Sequence, residues 1–360
     1  MVFPEKDVWT ILKNENRPVV MYGTGDGADK LFRIFDEYGI VVSDIFVSDE
    51  FFREREFHGY RVKRYSDIKR EYDDPVIVLS FAVFRDSDMA LMKEIAGEYT
   101  FLVPEVPVFH EPFFTYETFL SERKRIEEVY NLLSDEESKR VFVSVIKYRL
   151  TGDPNYLWDA ESDRNDLVGT VFEFTGSDET YVDLGAYRGD TIDEFLQWNG
   201  SVFREIIALE PDKKNFLKLS EHIESLKEKN RVSGKITLLN KASWNEETVL
   251  SMKGGGGRSS SLMEEGKKQE EVGAAVMDRI LEGKVPTYIK MDVEGAEKET
   301  IEGLKETLIK YRPKLSVSSY HYHSDLLTLP LMLHSINPEY RIYLRHHPYL
   351  PAWETNYYLV

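Results

Sequence analysis

The first third of the chain alternates short apolar runs with segments of helical periodicity. An apolar run occurs at Val19–Tyr22, and Ala28–Tyr38 has the spacing of an amphipathic helix. Strands and helices that alternate in this way predict a parallel sheet with helices packed against it. From Pro112 to Leu150 the periodicity is helical only. We therefore expect a small α/β domain over residues 1–110 and a helical connector over residues 111–170.

A second α/β pattern occupies residues 171–360, and we expect it to form a separate domain. Its predicted helices are Asp190–Trp198, Lys213–Glu228, Ala296–Tyr311 and Asp325–Ser335. Its predicted strands are Tyr181–Leu184, Ile206–Glu210, Ile236–Leu239, Tyr288–Val293, Lys314–Tyr320, Tyr340–Leu344 and Thr355–Val360. The last two strands leave no room for a helix between them. The pattern therefore predicts a seven-stranded doubly wound sheet that ends in an antiparallel hairpin.

The most informative motif is the run Tyr181-Val-Asp-Leu-Gly-Ala-Tyr-Arg-Gly-Asp-Thr191. It predicts a buried strand that carries Asp183, a turn at Gly185 and a helix that begins at Gly189. The G-x-x-x-G spacing differs from the G-x-G-x-x-G that cradles a pyrophosphate, and Asp183 would repel a phosphate. A ligand with a positively charged amino-acid end fits better. S-adenosylmethionine is such a ligand, because its ammonium group can meet Asp183 while its ribose reaches Glu210, which ends the next predicted strand.

Further acids are expected at the same edge of the sheet. In a doubly wound sheet, ligands bind in the crevice where the strand order reverses, here between the first and fourth strands. The fourth predicted strand carries Asp292 and Glu294 on one side. These acids could instead cap helices and stay solvated, an alternative that applies most to Glu294 and Glu297. Asp183, Glu210 and Asp292 together predict a cofactor crevice.

These motifs resemble those of the FkbM family of S-adenosylmethionine-dependent methyltransferases. The resemblance covers about residues 171–360, and the order of the motifs is more specific than any one of them. The matching segments are Val182-Asp-Leu-Gly-Ala-Tyr-Arg-Gly-Asp-Thr191, Ala208-Leu-Glu-Pro211, Asn240-Lys-Ala-Ser243, the glycine- and serine-rich segment that ends at Leu262, Ile289-Lys-Met-Asp-Val-Glu-Gly-Ala-Glu297 and Tyr340-Arg-Ile-Tyr-Leu-Arg-His-His347. The resemblance implies a class I methyltransferase fold and transfer of a methyl group to a hydroxyl, commonly on a sugar or a polyketide-like metabolite.

The resemblance also implies roles for individual residues along the cofactor. The methionine end would be lined by Asp183, Gly185 and Gly189, the ribose by Glu210, and the adenine side by Ala242 and Ser243. Tyr187, where the family more usually has asparagine, and Asp292 complete the predicted cofactor-binding set. The tract Gly254–Gly257, followed by Arg258, predicts a mobile loop that is either a lid over the acceptor or a solvated turn.

A hydroxyl acceptor must lose its proton, so the reaction needs a base near the transferred methyl group. His321 and His323 follow the fifth predicted strand, where an extended segment would place both on one side. Histidine titrates near neutral pH without special tuning. We predict His321, His323 and Asp292 as the catalytic residues, with Asp292 as the base or as the residue that orients a histidine. No H-x-x-x-H or comparable spacing supports a metal site, so we expect no metal.

The N-terminal part carries a competing motif. The run Gly23-Thr-Gly-Asp-Gly-Ala28 fits G-x-G-x-x-G/A, and Asp49 follows the next predicted strand, as an NAD site requires. Asp26 and Asp29 oppose this reading, because they place negative charge where a helix N-terminus would receive the pyrophosphate. This part resembles the small Rossmann-like domains of sugar-modifying proteins. The alternative functions are therefore an NAD-dependent sugar-nucleotide oxidoreductase and a noncatalytic sugar-nucleotide-binding protein; a domain that docks a partner or forms a homo-oligomer also remains open.

Composition narrows the expected partners. The chain has 360 residues, a formal net charge of -18 and no cysteine. The acidic balance disfavours nucleic acid, and the lack of cysteine excludes disulfides, thiolate catalysis and thiolate-bound metals. The N-terminus lacks the apolar core of a signal peptide, and the longest apolar run, Pro75–Phe84, is about half a membrane span. We expect a cytoplasmic protein without a membrane span that acts on a small-molecule or glycan acceptor.

Overall fold

The computed structural model describes residues 2–106, 108, 113–253 and 269–360. The predicted Gly254–Gly257 loop and Arg258 lie outside the described residues. The chain divides into two compact units, and each is described by itself. Unit 1 comprises Met1–Tyr130, Glu136–Ser162 and His346–Glu354, and unit 2 comprises Asn131–Asp135, Asp163–Arg345 and Thr355–Val360. The domain boundaries expected from the sequence stay predictions.

Unit 1 is built around a parallel sheet. The strands of unit 1 are β1 (Val19–Tyr22), β2 (Asp44–Val47), β3 (Glu56–Phe57), β4 (Tyr60–Arg61), β5 (Lys63–Arg64), β6 (Val76–Leu79) and β7 (Thr100–Leu102), of which β3 and β4 form a separate antiparallel pair. The helices that lie wholly or largely in it are α1 (Val8–Lys13), α2 (Asp26–Tyr38), α3 (Tyr65–Glu71), α4 (Asp86–Glu98), α5 (Tyr116–Leu132), α6 (Glu136–Thr151) and α7 (Asn155–Trp158). The order β5-β2-β1-β6-β7, parallel throughout, confirms the predicted parallel α/β sheet.

Unit 2 holds the larger sheet. The strands of unit 2 are β8 (Thr180–Leu184), β9 (Val202–Leu209), β10 (Ser233–Leu239), β11 (Ala242–Trp244), β12 (Thr248–Lys253), β13 (Gln269–Val276), β14 (Tyr288–Met291), β15 (Lys314–Ser318), β16 (Ile342–His346) and β17 (Thr355–Leu359). Its helices are α8 (Asp190–Asn199), α9 (Lys213–Glu228), α10 (Met277–Ile280), α11 (Glu297–Glu302), α12 (Lys305–Tyr311) and α13 (Asp325–Ile336). The order β10-β9-β8-β14-β15-β17-β16 confirms the predicted seven-stranded doubly wound sheet.

An aromatic core fixes the centre of this sheet. Tyr181 in β8 stacks on Phe195 of α8 at 4.6 Å and on Tyr288 of β14 at 5.0 Å between ring centroids. Offset or stacked aromatic pairs contribute about 0.5–1.5 kcal/mol beyond the area they bury. The same strands pair in parallel, with Lys290 opposite Asp183. This parallel pairing places the carboxyl ends of β8 and β14 side by side.

The structure differs from the predicted elements in two places. A three-stranded sheet, β11-β13-β12, lies between β10 and β14 in the sequence and was not predicted. The single helix predicted over Ala296–Tyr311 is two helices, α11 and α12. They separate at Gly303, where an added Cβ would lie 2.2 Å from the carbonyl oxygen of Trp244. The backbone of β11 thus approaches the helix break more closely than a side chain would allow.

Among the described residues, no helix has both the length and the apolar character needed to cross a bilayer. The cytoplasmic location stays a prediction.

Candidate active site

Hydrogen bonds between the strand ends form one continuous edge in unit 2. The amide of Gly185, after β8, donates to the Leu209 carbonyl of β9 at 3.0 Å. The amide of Asp292, after β14, donates to the Leu184 carbonyl at 3.0 Å. The acids predicted at the ends of these three strands therefore share the edge where the strand order reverses, which is where doubly wound sheets bind their ligands.

Gly185 is the point of closest approach along this edge. Its φ is +85°, and a Cβ added there would lie 1.9 Å from the carbonyl oxygen of Asp292. Real Cβ contacts do not come this close, and the left-handed conformation is one that glycine adopts without strain. The backbones of the two strand ends can therefore meet only because residue 185 has no side chain.

Asp183 and Lys290 form a buried charged pair directly below this turn. The Asp183 side chain has no exposed surface; its Oδ2 accepts a 2.6 Å hydrogen bond from the Thr191 hydroxyl, and its Oδ1 lies 3.5 Å from Lys290 Nζ. Lys290 Nζ donates to the Gly185 carbonyl at 2.8 Å and lies 3.7 Å from Asp292 Oδ2. Burial raises the pKa of Asp183, and Lys290 opposes that rise. One lysine thus links three of the predicted site residues.

Lys290 was missed by the sequence analysis. The available signal was a lysine inside the otherwise apolar run Tyr288-Ile-Lys-Met291, because a lysine is almost never buried without a partner. Burial by itself would lower the pKa of Lys290, but Asp183 and Asp292 hold that pKa above its ordinary value. Lys290 is therefore a permanent cation between two acids.

Glu210 is placed by the turn after β8. Its Oε2 accepts from the Tyr187 amide at 2.8 Å and its Oε1 from the Asp212 amide at 2.9 Å. Tyr187 has a φ of +48°, so this turn directs its amide toward the acid through an uncommon backbone conformation. Burial raises the pKa of Glu210 to about 7. Each carboxylate oxygen keeps a second lone pair that can accept from a ligand hydroxyl.

The remaining predicted cofactor residues lie on two elements. Gly189 is the N-cap of α8, with a φ of +98°. Ala242 and Ser243 belong to β11, and both are buried. The Ser243 hydroxyl lies 2.7 Å from the Thr300 hydroxyl of α11. The Ser243 side chain therefore bonds within the protein, and any contact from this position to adenine would come from the backbone.

His321 lies in a group of carboxylates that we call the His321 cluster: His321, Asp292, Glu294 and Glu297. Nδ1 of His321 lies 2.9 Å from Glu297 Oε1, and Nε2 lies 3.5 Å from Asp292 Oδ1 and 3.6 Å from Glu294 Oε2. The histidine side chain is only 2% exposed, whereas those of Asp292 and Glu294 are 30% and 29% exposed. The two partly exposed acids therefore form the solvent side of the cluster, and the histidine lies behind them.

The charged groups in the His321 cluster shift one another's pKa values. Burial alone would lower the pKa of His321, but Glu297, with Glu294 and Asp292, raises it to about 10. Burial raises the pKa of Glu294 to about 8, and its backbone φ is +54°. A non-glycine residue with positive φ is uncommon and is found more often at functional sites.

The prediction that an extended segment places His321 and His323 on one side is wrong. Strand β15 ends at Ser318, and residues 321–324 form bends and turns before α13. His321 joins the cluster, whereas His323 is half-buried in the turn. The Asp325 carboxylate, at the start of α13, accepts from the Tyr322 amide at 3.0 Å and holds this turn. A short polar sequence before a helix favours a turn over continued extension.

Part of the cluster has a donor set suited to a metal. Ligand atoms of Asp292, Glu297 and His321 all lie within 4.8 Å of one another. These residues come from the loop after β14, from α11 and from the turn after β15. The spacing rule used on the sequence considers ligands on one helix, so it could not detect a set assembled from three elements.

Two glycines of the unit 1 motif, Gly23 and Gly27, pack against neighbouring backbone and side chains, whereas an added Cβ at Gly25 would meet nothing within 4 Å. A Cβ on Gly23 would lie 2.5 Å from Ser80 Oγ and 2.6 Å from the Phe81 ring, and one on Gly27 would lie 2.0 Å from the Ser80 carbonyl oxygen. Ser80 and Phe81 follow β6, which pairs with β1. Gly23 and Gly27 therefore accommodate β6 and the loop after it.

The acids of that motif also have protein partners. Asp26 lies 3.2 Å from Lys30, and Asp29 lies 2.7 Å from His58. Asp49, the residue expected to bind a ribose, accepts from the Ser66 amide at 3.1 Å. The side chains that would define an NAD site are thus engaged within the unit.

The sheet order, the glycine turn after its first strand and the acid after its second strand define a class I methyltransferase fold, whose cofactor is S-adenosylmethionine. Residues 183–350 match the Methyltransferase FkbM domain family, so this part of the chain is an FkbM methyltransferase domain. This confirms the resemblance found in the sequence.

The fold of the chain is similar to the crystal structure of methyltransferase FkbM from Methylobacillus flagellatus KT, with a TM-score of 0.73 and 18% identity, covering 100% of this chain and 96% of that one. A precorrin-6y C5,15-methyltransferase from Geobacter metallireducens GS-15 matches with a TM-score of 0.31 and 14% identity, covering 51% of this chain and 80% of that one. Fibrillarin from Aeropyrum pernix matches with a TM-score of 0.32 and 11% identity, covering 52% and 67%. Comparison with curated proteins gave no match.

Proposed function

We propose that the protein transfers a methyl group from S-adenosylmethionine to a hydroxyl of a sugar, a glycan precursor or another small metabolite. The observation that carries the proposal is the convergence of Asp183, Gly185, Glu210 and Asp292 on one sheet edge. The family assignment supplies methyl transfer, and the site supplies acidic groups beside the expected position of the transferred methyl.

The residues present fit this cofactor. Gly185 provides a backbone surface without a side chain, and Glu210 keeps free lone pairs for ribose hydroxyls. Asp183 Oδ1 is buried and has no hydrogen-bond partner among the described residues, although it lies 3.5 Å from Lys290. Asp183 and Asp292 share the single charge of Lys290, so the edge is acidic and complements a cation. We assign cofactor binding to Asp183, Gly185, Tyr187, Gly189, Glu210, Ala242, Ser243 and Asp292.

S-adenosylmethionine, when bound, supplies a methyl group on a positively charged sulfur. The protein must orient the acceptor oxygen in line with that bond and provide a place for the hydroxyl proton. The Asp292 side chain is 30% exposed, whereas that of His321 is 2% exposed. The Tyr320 hydroxyl donates a 3.2 Å hydrogen bond to the Asp292 carboxylate. Asp292 is thus our candidate for the group that meets the acceptor, and His321 for the residue that positions it.

The net charge of the chain and the presence of unit 1 support the proposed class of acceptor. The net charge of -18 disfavours nucleic acid, which binds through a basic surface. A unit with a small parallel α/β sheet accompanies the methyltransferase, as in the sugar-modifying proteins that the N-terminal sequence resembles. These features favour a soluble carbohydrate or related metabolite as the acceptor.

Transfer of isotopically labelled methyl tests the proposal. The protein is incubated with S-adenosylmethionine carrying a labelled methyl group and a panel of sugar nucleotides, oligosaccharides and small alcohols, and products are read by mass spectrometry. We expect label on a hydroxyl of a carbohydrate or small alcohol. Label found only on protein amines or on nucleic acid would overturn the proposed acceptor class while leaving methyl transfer intact.

The competing function, an NAD-dependent oxidoreductase or a noncatalytic sugar-nucleotide-binding protein, depends on unit 1. Ser80 and Phe81 lie against Gly23 and Ser80 against Gly27, and Asp49 accepts a hydrogen bond from the Ser66 amide. Both observations favour a scaffold or docking role for this unit over dinucleotide binding.

A further inference from the structure

We propose that Asp292, Glu297 and His321 bind a hard divalent cation, of the Mg²⁺ or Mn²⁺ type, beside the cofactor edge. The inference concerns binding of the ion and stands whether or not the acceptor is a hydroxyl; a role for the ion in methyl transfer rests on the proposed function.

The spacing of the donor atoms suits such an ion. Oxygen and nitrogen ligands about 2.1 Å from an octahedral cation stand roughly 3–4.2 Å apart. One ligand atom from each of the three residues lies within 4.8 Å of the others. An ion takes only one imidazole nitrogen, and Nε2 of His321, 3.5 Å from Asp292 Oδ1, is the one not bonded to Glu297. Glu297 Oε1 accepts from the Val293 amide and contacts Nδ1, so the oxygen that Glu297 offers an ion is Oε2. The side chains of Asp292 and Glu297 would have to turn toward the same imidazole nitrogen to complete one coordination sphere.

A second observation points to a missing partner at the same place. The Glu297 residue is 1% exposed, and its Oε2 has no hydrogen-bond partner among the residues that the structure describes. A buried carboxylate oxygen left unpaired costs free energy, typically about 1–3 kcal/mol or more. A cation held between Glu297 and Asp292 would remove this cost.

The cluster is rich in carboxylates. Asp292, Glu294 and Glu297 surround one imidazole, Asp292 also lies 3.7 Å from Lys290, and the nearby Lys298 is paired with Asp325 at 3.8 Å. Binding of an ion through the imidazole would release the His321 proton. Carboxylates with one imidazole form a donor set that Mn²⁺ and Mg²⁺ accept, whereas cysteine, the ligand of softer metals, is absent from the chain. Asp292 and Glu294 face outward, so the ion would lie at the acceptor side of the cluster.

The test is Mn²⁺ binding to the full-length protein, measured by electron paramagnetic resonance of free Mn²⁺ in the absence of cofactor and acceptor. We expect one site per chain. Asp292→Asn and Glu297→Gln are each expected to weaken binding by about 10- to 100-fold, and Glu299→Gln, on the same helix but outside the cluster, to leave it unchanged. Circular dichroism and thermal melting establish that each variant is folded. If Glu297→Gln does not fold because Glu297 is buried, the variant at the more exposed Asp292 still tests the site.

Two results would overturn the inference. One is a wild-type protein that takes up no stoichiometric Mn²⁺. The other is uptake that all three folded variants share. Either result would assign the cluster to internal ion pairing with His321 as its cation. Binding of S-adenosylhomocysteine, measured without metal on the same samples, distinguishes this failure from a failure of the methyltransferase assignment.

Discussion

Replacing Gly185 by alanine is expected to abolish detectable cofactor binding and to lower the free energy of unfolding by about 2–4 kcal/mol. The added Cβ would lie 1.9 Å from the Asp292 carbonyl oxygen, and a backbone atom cannot move aside as a flexible side chain can. The ends of β8 and β14 must separate, which displaces Asp183 and Asp292 together. Calorimetry with S-adenosylhomocysteine and urea unfolding measure the two effects.

Gly176→Ala is the matched control for this substitution. Gly176 also has a positive φ, +68°, but an added Cβ there meets nothing within 4 Å. The Gly176→Ala variant is expected to lose only the free energy of unfolding that the left-handed backbone costs, about 1–2 kcal/mol, and to retain cofactor binding. Equal behaviour of the two variants would mean that backbone conformation, and not the close approach of the two strand ends, explains Gly185.

Replacing His321 by asparagine is expected to lower the methyl-transfer rate by about 10²–10⁴-fold with little change in cofactor affinity. The imidazole contacts Asp292, Glu294 and Glu297, so its loss removes the residue that holds Asp292 in place. The measurement is the single-turnover rate with an accepted acceptor, beside the affinity for S-adenosylhomocysteine.

His323→Asn provides the comparison, because His323 is a neighbouring histidine in the same turn. We expect it to change the rate far less than His321→Asn, since His321 is the histidine in contact with Asp292, Glu294 and Glu297. Full rate in both variants would return the histidines to a structural role and leave Asp292 as the leading catalytic residue. A larger loss in His323→Asn would contradict the placement of the site.

The fold of unit 2 was accessible from the sequence because each sheet strand is a short apolar run between clear turn residues. Strand β8 and its turn were predicted from one motif, since Asp183, Gly185 and Gly189 each have a local reason to be there. The sheet β11-β13-β12 was missed because β11 has only three residues and the apolar residues of β12 and β13 are separated by polar or small ones.

The site was predicted less completely than the fold, because its key contacts join residues distant in the sequence. Lys290 meets Asp183 through strand pairing, and Glu297 meets His321 only after α11 and the turn after β15 pack together. Whether His321 and His323 share a side depended on where β15 ends, and strand ends are the least reliable part of a sequence-based prediction. Such contacts follow from tertiary structure, which residue spacing alone does not specify.

Glu210 gives the cofactor assignment a defined pH dependence. Burial raises its pKa to about 7, although the hydrogen bonds from the Asp212 and Tyr187 amides lower it. The ionised carboxylate is the better acceptor for two ribose hydroxyls, so binding favours the charged form. Affinity is therefore expected to be full above pH 7 and to fall as the pH is lowered through 7. Glu210→Ala is expected to weaken binding by about 1.5–3 kcal/mol and to remove this dependence.

The most direct test of the central assignment is titration calorimetry of the full-length protein with S-adenosylhomocysteine at pH 8 and pH 6. We predict saturable binding at one site per chain, weaker at pH 6, and no heat from NADH under the same conditions. The absence of binding at millimolar S-adenosylhomocysteine by folded protein, or tight binding of NADH that depends on Glu210, would contradict it.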